Sequence, residues 1–167
     1  MDASARHLQL LTETIAAVNS TLDLEEVLGL VASKVAGALD ADACFVYLYD
    51  ERADELVLRA THGTRVEEMT RTPRMKPGEG ITGTAASERA PIMIASQAHL
   101  DQRFKAFPNL PEDQYESILA VPILAREKLA GALNIRTVVP RPREDSIWNR
   151  SISRLAPIIP SPIPVKE

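Results

Sequence analysis

The stretch ACFVYLYDERADELVLRAT, residues 43–61, decides how this chain folds. Ala43 to Tyr49 is an aliphatic and aromatic run, Asp50 to Asp54 is a polar turn, and Glu55 to Thr61 returns with apolar/polar alternation. Two such runs on either side of a short polar turn predict a β-hairpin. A second hairpin is expected further on, where Ser117 to Leu124 (SILAVPIL) and Leu129 to Thr137 (LAGALNIRT) flank the turn Ala125 to Lys128. Pro122 has no backbone donor, so a bulge or a sheet edge is expected beside it.

Working outward, the segments between the hairpins are less regular. Arg65 to Pro77 reads as a charged loop, with one helical turn around Val66 to Met69. Gly78-Glu-Gly-Ile-Thr-Gly83 opens a short helix through about Glu88, and Pro91 to Ile94 is a short strand. Ala95 to Tyr115 has little periodicity, and a connection that long inside a compact domain is usually functional or lid-like.

Two helices are expected upstream. Leu8, Leu11, Ile15 and Val18 recur at helical spacing over about Ala3 to Asn19. In the second helix Asp23 and Glu26 form a capping box, and Leu22 and Val27 are placed for a hydrophobic staple. Leu24, Val27, Leu28, Val31, Val35 and Leu39 then form its expected apolar face. Hairpin-linked strands give a mostly antiparallel sheet. The N-terminal helices are expected on one face of it, and the short helix and long loops on the other. The fold class is therefore α/β of the α+β kind, a three-layer sandwich. Residues 1–21 are expected to be a separate helix, residues 22–144 the domain, and residues 145–167 an atypical proline-rich tail. Within that tail Asp145 to Leu155 could start a helix, but Pro157, Pro160, Pro162 and Pro164 forbid its continuation.

Composition narrows the function. The 167 residues are 45% hydrophobic and 25% charged, with a net charge of −4. That balance suits a soluble domain and disfavours a nucleic-acid binder, which needs a basic face. The basic cluster Arg136 to Arg143 (RTVVPRPR) reads as a solvated loop. No run of eighteen apolar residues predicts a membrane span, and the N-terminal segment lacks the features of a signal peptide, so a cytoplasmic location is expected. A single cysteine, Cys44, leaves no intrachain disulfide, no multi-cysteine zinc site and no two-cysteine redox cycle. Its β-rich setting predicts burial as a small hydrophobe. The three histidines fall in different segments without ligand spacing, so no metal site is expected.

Five segments in order resemble the GAF sensory domain family. They are DLEEVLGLVASKVAGALDADA, CFVYLYDERADELVLRATHG, PGEGITGTAASERAPIMI, DQRFKAFPNLPEDQYESILAVPIL and LAGALNIRT. The segment RFKAFPNLPEDQYESILAVPI looks most like GAF modules of bacterial sensor kinases and of nitrogen-related phosphotransferase enzyme I. The resemblance implies a regulatory module of a signal-transduction protein. Such a module holds a small-molecule ligand between the sheet and the short helix, forms a homodimer through its N-terminal helix, and acts on an effector domain not contained in this chain. Members that bind cyclic nucleotides carry an Asn-Lys…Phe…Asp-Glu pattern from the last core strand. Here Asn134 is followed by Ile135 and no phenylalanine comes after it.

The expected pocket residues are Tyr47, Tyr49, Gly80, Ile81, Thr82, Phe104, Tyr115 and Ser117. They are the aromatic, polar and helix-start residues on segments that should converge there. Gly78-x-Gly80-x-x-Gly83 matches a dinucleotide fingerprint in letters only, because no buried strand precedes it and no βαβ unit surrounds it. Its helix start does offer free N–H groups, against which an acidic ligand group could sit at Gly80, Ile81 and Thr82. Ser117 lacks a nucleophile-elbow setting, and no acid–base pair stands out. No catalytic residue and no cofactor is therefore expected. A ligand-free dimerisation module is the alternative, and an enzyme, a reductase or hydrolase, comes third.

Overall fold

The computed structural model describes residues 24–63, 73–106, 115–142 and 147–150. Helix α1 (Leu24–Ala38) leads into strands β1 (Ala43–Asp50), β2 (Glu55–His62) and the two-residue β3 (Arg74–Met75). Helix α2 (Gly80–Glu88) and β4 (Ile92–Ile94) follow, then a 3-10 turn at Ala98–Leu100 and the long hairpin β5 (Ser117–Ala125) and β6 (Lys128–Thr137). The six strands form one antiparallel sheet in the order β3-β2-β1-β6-β5-β4. The expected three-layer α+β fold is present. The first expected helix, the Asp23 cap, the turn at Val66 to Met69 and the prolines after Arg150 lie outside the described residues.

Strand alternation divides the sheet into two faces. Cys44, Val46, Leu119, Val121, Leu133 and Ile135 share one buried cluster with Ala32 and Ala36 of α1, which rests on β1 and β2. Phe45, Tyr47 and Ala132 lie on the opposite face, with Leu56, Leu58 and Met75. The bulge that opposes Val46 to Ala60 but Tyr47 to Leu58 leaves Arg59 as the extra residue on β2. That one residue puts Ala60 on the α1 face and Leu58 on the other, although they are two positions apart in the strand. Pro122 sits past the last pair that β4 makes with β5, beside a second bulge between Ile123 and Leu124. Its missing donor therefore leaves no gap in the ladder.

Helix α1 lies on the sheet through small residues. Ala32, Ala36 and Leu39 are buried, with Leu28 and Val35 partly so. Leu24, Val27 and Val31 are exposed, which corrects the apolar face expected from periodicity, and Leu30 is exposed as well. Alanines let the helix axis approach the strands closely, and the larger residues are turned away. The helix ends in a Schellman motif: Ala41 N–H donates to Ala36 O and Asp40 N–H to Gly37 O, with Asp40 at φ 49. Trp148, in a helical turn over residues 147–150, is completely buried against this end, and its Nε1 donates to Leu39 O at 3.3 Å. The core thus includes a residue beyond position 144.

The irregular reading of residues 65–77 missed β3. Arg74 and Met75 pair with Val57 and Leu56, a strand too short to leave a periodic signature. The basic cluster also needs correcting. Arg136 is 3% exposed on β6, and Arg141 Nη2 donates to Asp40 Oδ2 at 2.9 Å.

Candidate functional site: a small polar cavity under helix α2

Asn134 and Arg136 alternate with Leu133 and Ile135, so β6 carries both polar side chains to the face away from α1. There Arg136 Nε donates to Asn134 Oδ1 at 2.8 Å, and Asn134 Nδ2 donates to Thr82 Oγ1 at 2.5 Å. All three residues are at least 97% buried. The guanidinium carbon lies 4.5 Å from the centroid of the Phe45 ring and 5.4 Å from that of Tyr115. Aromatic rings at these distances attract the cation electrostatically. The network ties a central strand to the first turn of α2.

The glycine motif explains how α2 reaches this position. Gly78 and Gly80 have φ of +89° and +67°, which side chains rarely adopt, so they turn the chain into the helix. Gly83 is a close-approach site, where a Cβ would stand 2.5 Å from Lys76 O, and Gly78 N–H donates to Gly83 O. The three glycines build a turn packed on its own helix. Glu79 precedes α2 and makes no side-chain cap to it. Its carboxylate instead accepts from Lys105 Nζ and from Lys76 N–H, contacts that hold it below the usual carboxylate range, the Lys105 bond first.

Residues 101–106 cross in front of α2 as a strap. Asp101 Oδ1 accepts from both the backbone N–H and Nε of Arg103, and Oδ2 accepts from its Nη2 at 2.8 Å. The Arg103 fork lowers the Asp101 carboxyl and raises its own guanidinium in turn. Phe104 N–H closes the turn on Asp101 O. Phe104 and Lys105 are thereby placed against Gly80, Ile81 and Thr82, and these five residues with Asn134 and Arg136 surround a cavity of about 10 Å³. Met75 and Ile118 complete its walls. That volume matches a single water, so the site as it stands admits nothing larger.

Of the residues expected here, Gly80, Ile81, Thr82 and Phe104 line the cavity. Tyr47 is buried in the apolar cluster on the same face, and Tyr115 in that cluster covers Arg136. Tyr49 sits at the hairpin end, where its hydroxyl donates to Asp54 Oδ1 at 2.7 Å. That bond raises the phenol above its ordinary value. Ser117 Oγ braces strand ends: it donates toward Ala95 O and Val139 O and accepts from Arg141 N–H. The reading missed Met75, Lys105, Ile118, Asn134 and Arg136. For the last two a signal was present, since polar residues at positions 134 and 136 interrupt one face of an otherwise apolar strand. Among the described residues no cluster of three or more His, Cys, Asp or Glu could hold a metal. No helix among them is long and apolar enough to cross a membrane.

An antiparallel sheet with helices on either side and a polar cavity under the short one defines a three-layer α+β module. The chain belongs to the GAF domain family, whose model matches residues 21–153. Curated proteins of Escherichia coli K12 and Salmonella typhimurium LT2, both described as a phosphoenolpyruvate-dependent phosphotransferase system, are 32% identical to it over 119 residues. That match covers 71% of this chain but only 16% of each relative. Among solved structures, the GAF domain of a Coxiella burnetii phosphoenolpyruvate-protein phosphotransferase is 30% identical. It superposes with a TM-score of 0.65 over 95% of both chains. A free methionine-R-sulfoxide reductase from Neisseria meningitidis shares the fold, with a TM-score of 0.64 at 21% identity over 95% of this chain and 89% of that one.

Proposed function

We propose that this chain is a cytoplasmic regulatory domain that binds a small molecule at the cavity under α2 and passes the event to an effector domain of a signal-transduction protein. The buried Arg136–Asn134–Thr82 network carries the reading. A fully buried guanidinium is costly to desolvate, and an apolar side chain of similar volume would serve a purely structural core as well or better. A ligand that separates the 101–106 strap from α2 would alter the α2–β6 contact, and β6 pairs with β1, on which α1 rests. Such coupling requires that the ligand prefer one arrangement over the other.

A regulatory role is favoured over thiol catalysis by the position of Cys44. It lies on the α1 face, away from the cavity, completely buried, with burial pushing its thiol up to about 12. The reactive form is the thiolate, which that environment disfavours. The test is mass spectrometry of the purified chain for a co-purifying small molecule, followed by thermal-shift screening of a metabolite library. A retained or stabilising compound that is lost on Phe104→Ala supports the reading, and a library without any stabilising compound overturns it.

A second reading, homodimerisation, is favoured by the apolar residues Leu24, Val27, Leu30 and Val31 that α1 exposes. The N-terminal helix expected from Leu8, Leu11, Ile15 and Val18 would extend that surface. Sedimentation of the whole chain should give a dimer, and Leu30→Glu or removal of the first nineteen residues should give a monomer. A wild-type monomer at all concentrations overturns this reading.

A further inference from the structure

Residues 138–142 follow β6 without regular structure, yet they bond to three separate elements. Toward the end of α1, Val138 N–H donates to Asp42 Oδ2 at 2.7 Å and Arg141 Nη2 to Asp40 Oδ2 at 2.9 Å. Toward β4, Arg141 N–H donates to Ala95 O at 2.8 Å. Toward β5, the same N–H is shared with Ser117 Oγ at 2.7 Å. Val138 and Val139 are exposed, so polar bonds rather than apolar burial hold this stretch in place. A few residues on, Trp148 bonds to Leu39 O at the same end of α1.

Ala95 and Ser117 are also the two roots of the connection that carries the 101–106 strap. Ser117 Oγ donates to Ala95 O at 2.6 Å, Ala98 N–H to Glu116 O at 3.0 Å and Gln97 N–H to Glu116 Oε2 at 2.9 Å. The roots are therefore closed on each other. Asp101 N–H then donates to Ala98 O, which joins the roots directly to the residue that organises the strap. Ser117 is completely buried and the Arg141 side chain is 13% exposed, so water is a poor substitute for their bonds.

We propose that Ser117 and Arg141 form a clasp that joins the strap roots, the stretch after β6 and the end of α1 into one cooperative unit. Loosening any one of the three then loosens the other two. The inference goes beyond ligand binding, since it does not depend on whether the cavity takes a ligand. It also differs from coupling through α2, β6 and β1, because it runs along one end of the sheet. Proteins open locally in contiguous units of this kind, and coupling between two parts of a unit is reciprocal.

The experiment is amide hydrogen exchange of the whole chain, read residue by residue by NMR. The Val46 and Leu133 amides in the central strands serve as the measure of global stability. Relative to them, Arg141→Met should speed exchange at the Ala98 and Phe104 amides about threefold or more, at the low end of couplings within one network. In the other direction, Asp101→Asn should speed exchange at the Ala41 amide, which donates to Ala36 O at the end of α1. That second effect should vanish when Arg141→Met is already present. Asp40→Gly supplies a milder variant. Asp40 has φ 49 after α1, where glycine is favoured, so the helix end is kept while the carboxylate is removed. It should shift the Ala98 and Phe104 amides in the same direction by less. Faster exchange confined to residues 40–42 and 138–142 overturns the proposal, as does a uniform rise that includes Val46 and Leu133. An Asp101→Asn effect on Ala41 that persists without Arg141 overturns it too, and assigns the coupling to the sheet.

Discussion

Asn134 Nδ2 donates to Thr82 Oγ1 at 2.5 Å, joining residues 52 positions apart across the boundary between the sheet and α2. Asn134 also accepts from Arg136, so one amide satisfies a hydroxyl on one side and a cation on the other. Replacing it by alanine leaves two buried polar groups short of a partner. Asn134→Ala should lower stability by about 2–4 kcal/mol and Thr82→Val by about 1–2 kcal/mol. Urea denaturation of both single variants and the double variant should show a double effect smaller than the sum, because the two share one bond.

The Cys44 thiol should be inert in the native chain. Its raised value means that the unfolded state loses the proton first as pH rises. The stability this thiol contributes is therefore complete below its ordinary value of 9.0 and declines as pH climbs towards about 12. The slope is at most about 1.4 kcal/mol per pH unit in that window. Wild type and Cys44→Ala should thus converge in stability above pH 9, read by urea denaturation. Iodoacetamide should label the wild type only after unfolding.

The β5–β6 turn holds Arg126 and Glu127 at φ 50 and 66 between the paired Ala125 and Lys128. Two left-handed residues in a two-residue hairpin loop are the geometry that Asn-Gly satisfies without strain. Arg126→Asn with Glu127→Gly should raise stability by about 1 kcal/mol, seen as a higher thermal midpoint. The Arg89 Nη1 bond to Glu127 O uses backbone on the acceptor side and is retained.

Asp101 should hold the strap shut. Asp101→Asn removes the charge that pairs with Arg103 and should speed hydrogen exchange at the Phe104 amide, which donates to Asp101 O. The carboxyl is depressed by Arg103, so the wild-type protection is present above the ordinary carboxylate range and lost as pH falls through the lowered value. The pair is partly exposed, so the effect on global stability should stay below about 1 kcal/mol.

Trp148 is the chain's single tryptophan and is fully buried against the end of α1. Trp148→Phe should cost about 1–3 kcal/mol and Trp148→Ala about 3–5 kcal/mol. Wild-type emission should be blue-shifted and move red cooperatively on unfolding. A chain cut at residue 144 should be destabilised as much as Trp148→Ala.

Local pattern carried most of the fold. The hairpins at 43–61 and 117–137 were legible because side-chain alternation and polar turns act over a few residues. Helix α2 was legible because glycines with positive φ must begin it. The two-residue β3 was not, since its pairing with Leu56 and Val57 depends on the sheet edge it meets. The buried side of α1 was misread for a related reason. Apolar periodicity marked Leu24, Val27 and Val31, but Ala32 and Ala36 are the residues buried against the sheet.

The candidate site divides the same way. The sequence by itself carried the α+β pattern and the glycine turn into α2, because each follows from short-range chemistry; its resemblance to the GAF family named the domain, and four of its eight pocket candidates, Gly80, Ile81, Thr82 and Phe104, line the cavity. Only the tertiary structure decided that Arg136 is a buried cation and not part of a solvated basic loop. It also decided that Asn134 and Lys105 join Arg136, and that Tyr49 and Ser117 are engaged elsewhere. Burial and hydrogen-bond partnership are properties of segments brought together across the sheet, and no spacing within one strand encodes what will lie on top of it.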